Sequence, residues 1–310
     1  MIPRIAVLDL GTNTFNLLIA EVSRSSFAVL YKAETFVHIG EEGLDRIGDN
    51  AFQRALEQIR KYQEVIKKYE VSKIIGFGTA AMRRASNGEE LEKAIKSICP
   101  MELRRISGDE EAELIFLGVR QAVPLYTQPV LIMDIGGGST EFIVADKDHI
   151  FWKQSFPVGA SVLKQKFHHH EPIAPEEVQA LKNYLGEELA SLVKQLRLFQ
   201  PKKLIGASGS FDTFASIVAY AFDHHIFPAE KTSFQITASQ FQTVKQKIIA
   251  GNLQERLAIP GMISFRAPMI VVAAILTDFV MEISRLHDVT QSAYALKEGA
   301  MWKMVPGKDM

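Results

Sequence analysis

Residues 9–20 read DLGTNTFNLLIA, and residues 134–145 read DIGGGSTEFIVA. Each stretch ends an apolar run on an aspartate, passes through a loop of small residues, and resumes in a β-rich run. A second pair keeps the same order, KIIGFGT at 73–79 and KLIGASG at 203–209. The first pair is displaced by 125 residues, Asp9 to Asp134, and the second by 130, Lys73 to Lys203. Two pairs in one order at nearly one displacement mark a divergent internal duplication. The sequence therefore predicts two α/β domains of related plan.

Around Asp9, the runs IAVLDL, FNLLIAEV and FAVLYKAE are too short for globular helices and read as a three-stranded meander. From Ala51 the period changes. Phe52, Ala55, Leu56, Ile59, Tyr62, Val65, Ile66 and Tyr69 recur at steps of three and four, one face of a helix. Helical patterns follow over 87–98 and 109–119. The second half repeats the order with strands VLIMDI, TEFIVAD and HIFWKQSF and one long helix over 175–198. Pro124 and Pro129 resist continuing either regular structure, so the boundary is expected near Thr127, giving domains 1–126 and 127–310.

The 310 residues are 47% apolar and carry a formal charge of −1, a globular composition without a global field for DNA or an anionic membrane. Neither is expected as a partner, and a polyanion would have to be met by a local basic site. The single cysteine, Cys99, excludes an intramolecular disulfide and a thiolate cluster and fits a cytoplasmic location. The amino terminus MIPRIAVLDLG lacks the apolar core of a signal peptide. The longest apolar run, 269–276, falls far short of the roughly 20 residues a bilayer needs. A homodimer is compatible with these features.

Gly11, Thr12, Asn13 and Thr14 in the first loop, and Gly136, Gly137, Gly138 and Ser139 in the second, suit phosphate. Glycine lets backbone N–H groups approach anionic oxygens, and the hydroxyls add donors. Asp9 and Asp134 stand where a hydrated divalent cation would bridge protein to phosphate. Glu141, seven residues after Asp134, and Asn16, its counterpart in the first repeat, can face the same side across a hairpin. An acid at Glu141 makes sense beside phosphate if it holds metal or orients water. The plainer alternative is two hairpin turns with a solvated strand-end glutamate. In GASGS, the residues Gly206, Ser208, Gly209 and Ser210 precede a helix expected from about Phe211, an anion site of the helix-terminus kind. A serine-hydrolase elbow is disfavoured because the Gly-x-Ser-x-Gly spacing is absent.

Ser107 and Glu110 form an S-x-x-E capping box that would start the helix over 109–119. Glu111, turned about 100° around the helix, lacks that structural job beyond a favourable place on the helix dipole. Arg83 and Arg84 follow GTAAM at a strand end, where a guanidinium could neutralise charge on a transferring phosphoryl group. The consecutive histidines His168, His169 and His170, and His224 and His225, cannot all face one ion and are not expected to ligate metal.

On these segments the chain resembles the exopolyphosphatase/guanosine pentaphosphate phosphohydrolase family, a branch of the actin, sugar-kinase and chaperone ATPase superfamily. DLGTNTFNLLI is similar to its first phosphate loop, GTAAMRRASN to its arginine segment, ISGDEEAELIFLGV to its catalytic-glutamate helix, and DIGGGSTE to its second phosphate loop. GASGS and the closing LKEGAMW are similar too, so the likeness covers nearly the whole chain. The resemblance implies an α/β fold of two actin-like (ribonuclease H-like) domains with a cleft between them, in a short two-domain form. It places the catalytic base on Glu111, the arginine on Arg83 and the metal-associated acids on Asp134 and Glu141, with Mg2+ as cofactor. The implied substrate is inorganic polyphosphate, cut at its terminal phosphoanhydride, or guanosine pentaphosphate. Thr12 and Thr14 stand where the family usually has serines and keep the hydroxyls. Phe265, Pro268 and Val162 replace residues that are commonly charged, which bears on substrate preference. The rival classes are an actin-like ATPase or kinase, against which Glu111 argues, and a silent nucleotide sensor, which would have lost the base.

Overall fold

The computed structural model describes residues 2–223 and 231–307. By Cα proximity the chain forms two compact units, Met1–Gly118 with Gly136–Gly138 and Ala295–Met310, and Val119–Ile135 with Ser139–Tyr294.

In the first unit, β1 (Arg4–Leu10), β2 (Thr14–Val22) and β3 (Phe27–Phe36) form the expected antiparallel meander. β4 (Lys73–Gly78) pairs parallel to β1 and β5 (Glu102–Arg105) parallel to β4, in the order β3-β2-β1-β4-β5. α1 (Asp49–Lys68) buries Ala55, Leu56, Ile59, Tyr62 and Ile66 of the stripe read from the sequence, together with Ala51, while Phe52, Val65 and Tyr69 are half-buried. Its Tyr62 hydroxyl donates to the Phe15 carbonyl at 2.7 Å, and burial pushes the phenol up to about 12. α2 (Ala80–Arg84), α3 (Gly88–Ile98) and α4 (Gly108–Ala122) complete this part.

The second unit repeats the plan. β6 (Val130–Ile135), β7 (Thr140–Ala145) and β8 (Ile150–Phe156) are an antiparallel meander. α5 (Ala160–Phe167), α6 (Pro175–Glu188) and α7 (Ala190–Phe199) lead to β9 (Leu204–Ala207), parallel to β6. α8 (Gly209–Val218) follows, then β10 (Ser233–Ile236), α9 (Ala238–Ala250), α10 (Leu253–Leu257), α11 (Ile270–Ser284) and β11 (Val289–Ser292). The sheet order is β10-β11-β9-β6-β7-β8. Asp9 pairs with Asn16 and Phe77, and Asp134 with Glu141 and Ala207, so both repeats share one register. The fold is α/β, with two mixed sheets of repeated plan.

Two expectations are adjusted, the single long helix and the domain boundary. The helix over 175–198 is two helices meeting at Leu189, whose ψ of 16° opens one turn while Leu181, Leu185, Leu189, Leu192 and Leu196 all stay buried. The apolar run 269–276 is the buried start of α11, and no helix among the described residues is long and apolar enough to cross a membrane. The division drawn at 126/127 moves to Gly118/Val119, inside α4, and the last residues return to the first unit. The reason is a close crossing by α12 (Leu296–Trp302). A Cβ on Gly299 would lie 1.8 Å from the Leu114 carbonyl oxygen, and one on Gly118 2.0 Å from that of Ala295. Two glycines thus let α12 and the segment preceding it rest on the backbone of α4.

Candidate active site

In the first unit, the turn after β1 is closed by the Gly11 amide donating to the Thr14 carbonyl at 3.0 Å. Gly137 and Gly138 pack against it. A Cβ on Gly137 would meet the Asn13 amide at 2.7 Å, and one on Gly138 the Thr12 hydroxyl at 2.8 Å. Here the space that glycine leaves is filled by the neighbouring loop. The Thr12 hydroxyl is buried and makes no hydrogen bond among the described residues, a donor that a phosphate oxygen or water would satisfy.

α2 and the first turn of α4 bring together the two predicted catalytic side chains. Arg83 Nη1 donates to Glu111 Oε2 at 3.1 Å and to the Ile106 carbonyl at 2.8 Å. Glu111 is only 8% exposed. The buried Asn87 amide, exchanging two 2.9 Å hydrogen bonds with the Ile47 backbone, secures the segment after Arg83. Arg84 instead sits 3.8 Å from exposed Asp45. The expected capping box is half formed. Ser107 Oγ accepts from the Glu110 amide at 3.1 Å, but the Glu110 carboxylate turns to Arg104 at 2.7 Å, a charged partner stronger than a backbone amide. Glu110 is structural, as expected, by a different contact.

In the second unit, Asp134 and Glu141 are directly opposite on β6 and β7, with exposures of 5% and 1%. The row continues to Ser155 on β8, whose hydroxyl donates to Glu141 Oε1 at 2.7 Å. The equivalent row in the first unit is Asp9, Asn16 and Glu34, in which the amide separates the acids and donates to Asp9 at 3.1 Å. Like charges directly opposite in a sheet disfavour each other. Two adjacent carboxylates are a hard-oxygen donor set of the kind magnesium takes, so the residues of the second row fit that ion.

The β9–α8 turn carries the third set. Ser208, at φ 68° and ψ 178°, occupies a backbone region that is essentially reserved for glycine and costs on the order of 1–3 kcal/mol. Its hydroxyl donates to Asp134 Oδ2 at 2.7 Å. A hydrogen bond to a charged group contributes about 1.5–3 kcal/mol, enough to offset the strain. The missing side chain of Gly206 makes room for the Phe211 ring, and that of Gly209 for the Arg266 guanidinium, which also lies 4.9 Å from the Phe265 ring centroid. Ser139 and Ser210 are buried nearby in sequence to these turns. Sequence reasoning missed Ser155 and the contact of Ser208 with Asp134, because both depend on cross-strand neighbours.

His168, His169 and His170 have separate surroundings. His168 is buried 3.4 Å from Glu171, and burial lowers its pKa. His170 meets Glu177 at 2.9 Å, and His169 the Lys166 carbonyl at 3.2 Å. His224 and His225 lie outside the described residues.

Two sheets of repeated plan, with the part-buried Arg83–Glu111 pair in the first unit, are the frame of an enzyme of the phosphoanhydride hydrolase class. The chain is a member of the Ppx/GppA phosphatase family, whose model it matches over residues 18–308. It is similar to the crystal structure of an exopolyphosphatase from Cytophaga hutchinsonii, with 38% identity, 99% of each chain covered and a TM-score of 0.95. A Ppx/GppA family member from Aquifex aeolicus shares the fold at 20% identity, covering 99% of each chain with a TM-score of 0.81. A Haemophilus influenzae relative is 26% identical over 307 residues, covering 97% of this chain and 91% of its own length.

Proposed function

We propose that the chain is an exopolyphosphatase that removes orthophosphate from the end of inorganic polyphosphate. The observation that carries this reading is the 3.1 Å contact between Arg83 and Glu111 in a nearly buried setting. Glu111 takes a proton from water as its oxygen bonds the terminal phosphorus, the bridging P–O bond breaks, and the shortened polymer leaves with the electron pair. Arg83 orients the Glu111 carboxylate and offers planar N–H donors to phosphoryl oxygens. In so loose a transition state, positioning and charge neutralisation supply most of the acceleration. The loops at Gly11–Thr14, Gly136–Ser139 and Gly206–Ser210 hold the phosphates. We assign Mg2+ to Asp134 and Glu141, the two acids directly opposite each other on adjacent strands. When bound, the ion neutralises phosphate charge. The reading places the enzyme in the cytoplasm, with which the lone buried Cys99 is compatible.

The test is phosphate release from long polyphosphate, short polyphosphate, guanosine pentaphosphate and ATP under one set of conditions. Polyphosphate should turn over fastest. Preference for guanosine pentaphosphate would reassign the substrate on the same chemistry, and preference for ATP would overturn the reading.

A further inference from the structure

Ser208 stands at the N-cap of α8, where a serine ordinarily turns its hydroxyl onto the first helical amides. Here it makes no side-chain cap hydrogen bond. The hydroxyl points instead to Asp134 Oδ2, at 2.7 Å. Its backbone is equally unusual. Gln200 and Arg285 also have positive φ, but with ψ of 58° and 28° they are left-handed helix ends, a common conformation. Ser208, with ψ 178°, occupies the region that glycine alone adopts freely. Glycine is present at Gly206 and Gly209 on either side, where packing requires it. At the position where the backbone calls for glycine, the chain has a serine that does not cap.

We infer that Ser208 is a positioning residue whose hydroxyl fixes the Asp134 carboxylate for cation binding, at the expense of a strained backbone. The inference rests on the reading that Asp134 and Glu141 hold magnesium. The register makes the contact possible, because Asp134 is the cross-strand partner of Ala207, directly before Ser208. A carboxylate held on one oxygen loses less freedom when a cation binds, so the hydroxyl acts through Asp134.

Strain and hydroxyl can be separated by two substitutions. Ser208→Ala removes the hydroxyl and keeps the strain, while Ser208→Gly removes both. The assay is Mn2+ titration of the full chain without substrate, followed by electron paramagnetic resonance, together with thermal melting of the metal-free protein. Both variants should bind Mn2+ about 10-fold more weakly than wild type, the usual scale for losing a partner of a metal ligand. Ser208→Gly should melt clearly above Ser208→Ala. Asp134→Asn, run alongside, should weaken Mn2+ binding at least as much. If Asp134→Asn reduces Mn2+ affinity but Ser208→Gly does not, the inference fails and the metal assignment stands. Unchanged affinity in Asp134→Asn overturns the assignment and the inference together. Equal melting of the two Ser208 variants would show that the serine backbone is not strained, and would also overturn it.

Discussion

Gly299→Ala should cost both stability and rate, because the new methyl group would fall on backbone. Its Cβ would lie 1.8 Å from the Leu114 carbonyl oxygen and 2.8 Å from the Gly118 amide nitrogen. Neither atom can rotate away as a side chain can, so α12 and α4 must separate by more than about 1 Å to reach ordinary contact. Overpacking of this kind costs about 1–3 kcal/mol, and rigid neighbours argue for the upper end. For a chain of 310 residues the upper end corresponds to a fall in Tm of roughly 4–5 °C. Leu114 is one turn along α4 from Glu111, so the shift reaches the 3.1 Å contact with Arg83. A misplacement of about 1 Å at a reacting group can lower turnover about 100-fold. The control is Gly186→Ala on α6, where the nearest atom to a new Cβ is Phe279 Cζ at 4.0 Å. That substitution should stabilise by about 0.5–1 kcal/mol. Melting curves and phosphate release from polyphosphate would measure both. The reasoning is refuted if Gly299→Ala melts within about 2 °C of wild type with full turnover.

Glu111→Gln should lower turnover by about 100-fold or more with little change in Tm, whereas Glu110→Gln, which loses the Arg104 contact and keeps the Ser107 cap, should retain most activity. Equal kinetic losses would remove Glu111 as the base. Arg83→Lys should keep much of the substrate binding and lose rate, since an ammonium cannot reproduce the planar contacts, and Arg84→Lys should be nearly silent. Steady-state kinetics would detect the reverse pattern, which would move the phosphoryl contact to Arg84. Asp278 offers a pH test. Burial raises its pKa, but hydrogen bonds from Lys245 at 2.7 Å and Gln242 at 3.0 Å outweigh this and hold it below the ordinary aspartate range. A depressed carboxylate contributes stability above its unfolded pKa and loses it as pH falls through the folded one. Asp278→Asn should therefore cost about 2 kcal/mol at neutral pH, and urea titrations should find this difference shrinking only below the ordinary aspartate range. A difference independent of pH would exclude the charge as its origin.

The two repeats are legible in the sequence to the extent that local rules govern them. The seven-residue spacing across each hairpin lets Asp9 and Asn16, and Asp134 and Glu141, face the same side, and the register places them directly opposite. The helical pattern over 175–198 likewise follows from local period, although the break at Leu189 does not. What escaped depends on distant partners. β5 has four residues, mostly exposed, and gives no alternation to read. Nothing near Gly299 announces that Leu114 lies against it, and nothing near Glu110 announces Arg104.

Ser208 shows why such omissions gather at the site. Sequence reading assumes that each residue satisfies its own local preference, and a serine before a helix is expected to cap it. The serine here forgoes the cap and accepts a backbone suited to glycine, while its hydroxyl meets a carboxylate that is 74 positions away in the chain. A local rule broken where a long-range polar contact is made is the pattern expected of a residue retained for chemistry. The same reasoning separates Glu111 from Glu110. Glu110 meets an exposed arginine on the strand just before its own helix, whereas Glu111 is carried, nearly buried, to an arginine 28 positions earlier. The part-buried contact with the Arg83 guanidinium is one that a solvated helix-end glutamate would not need.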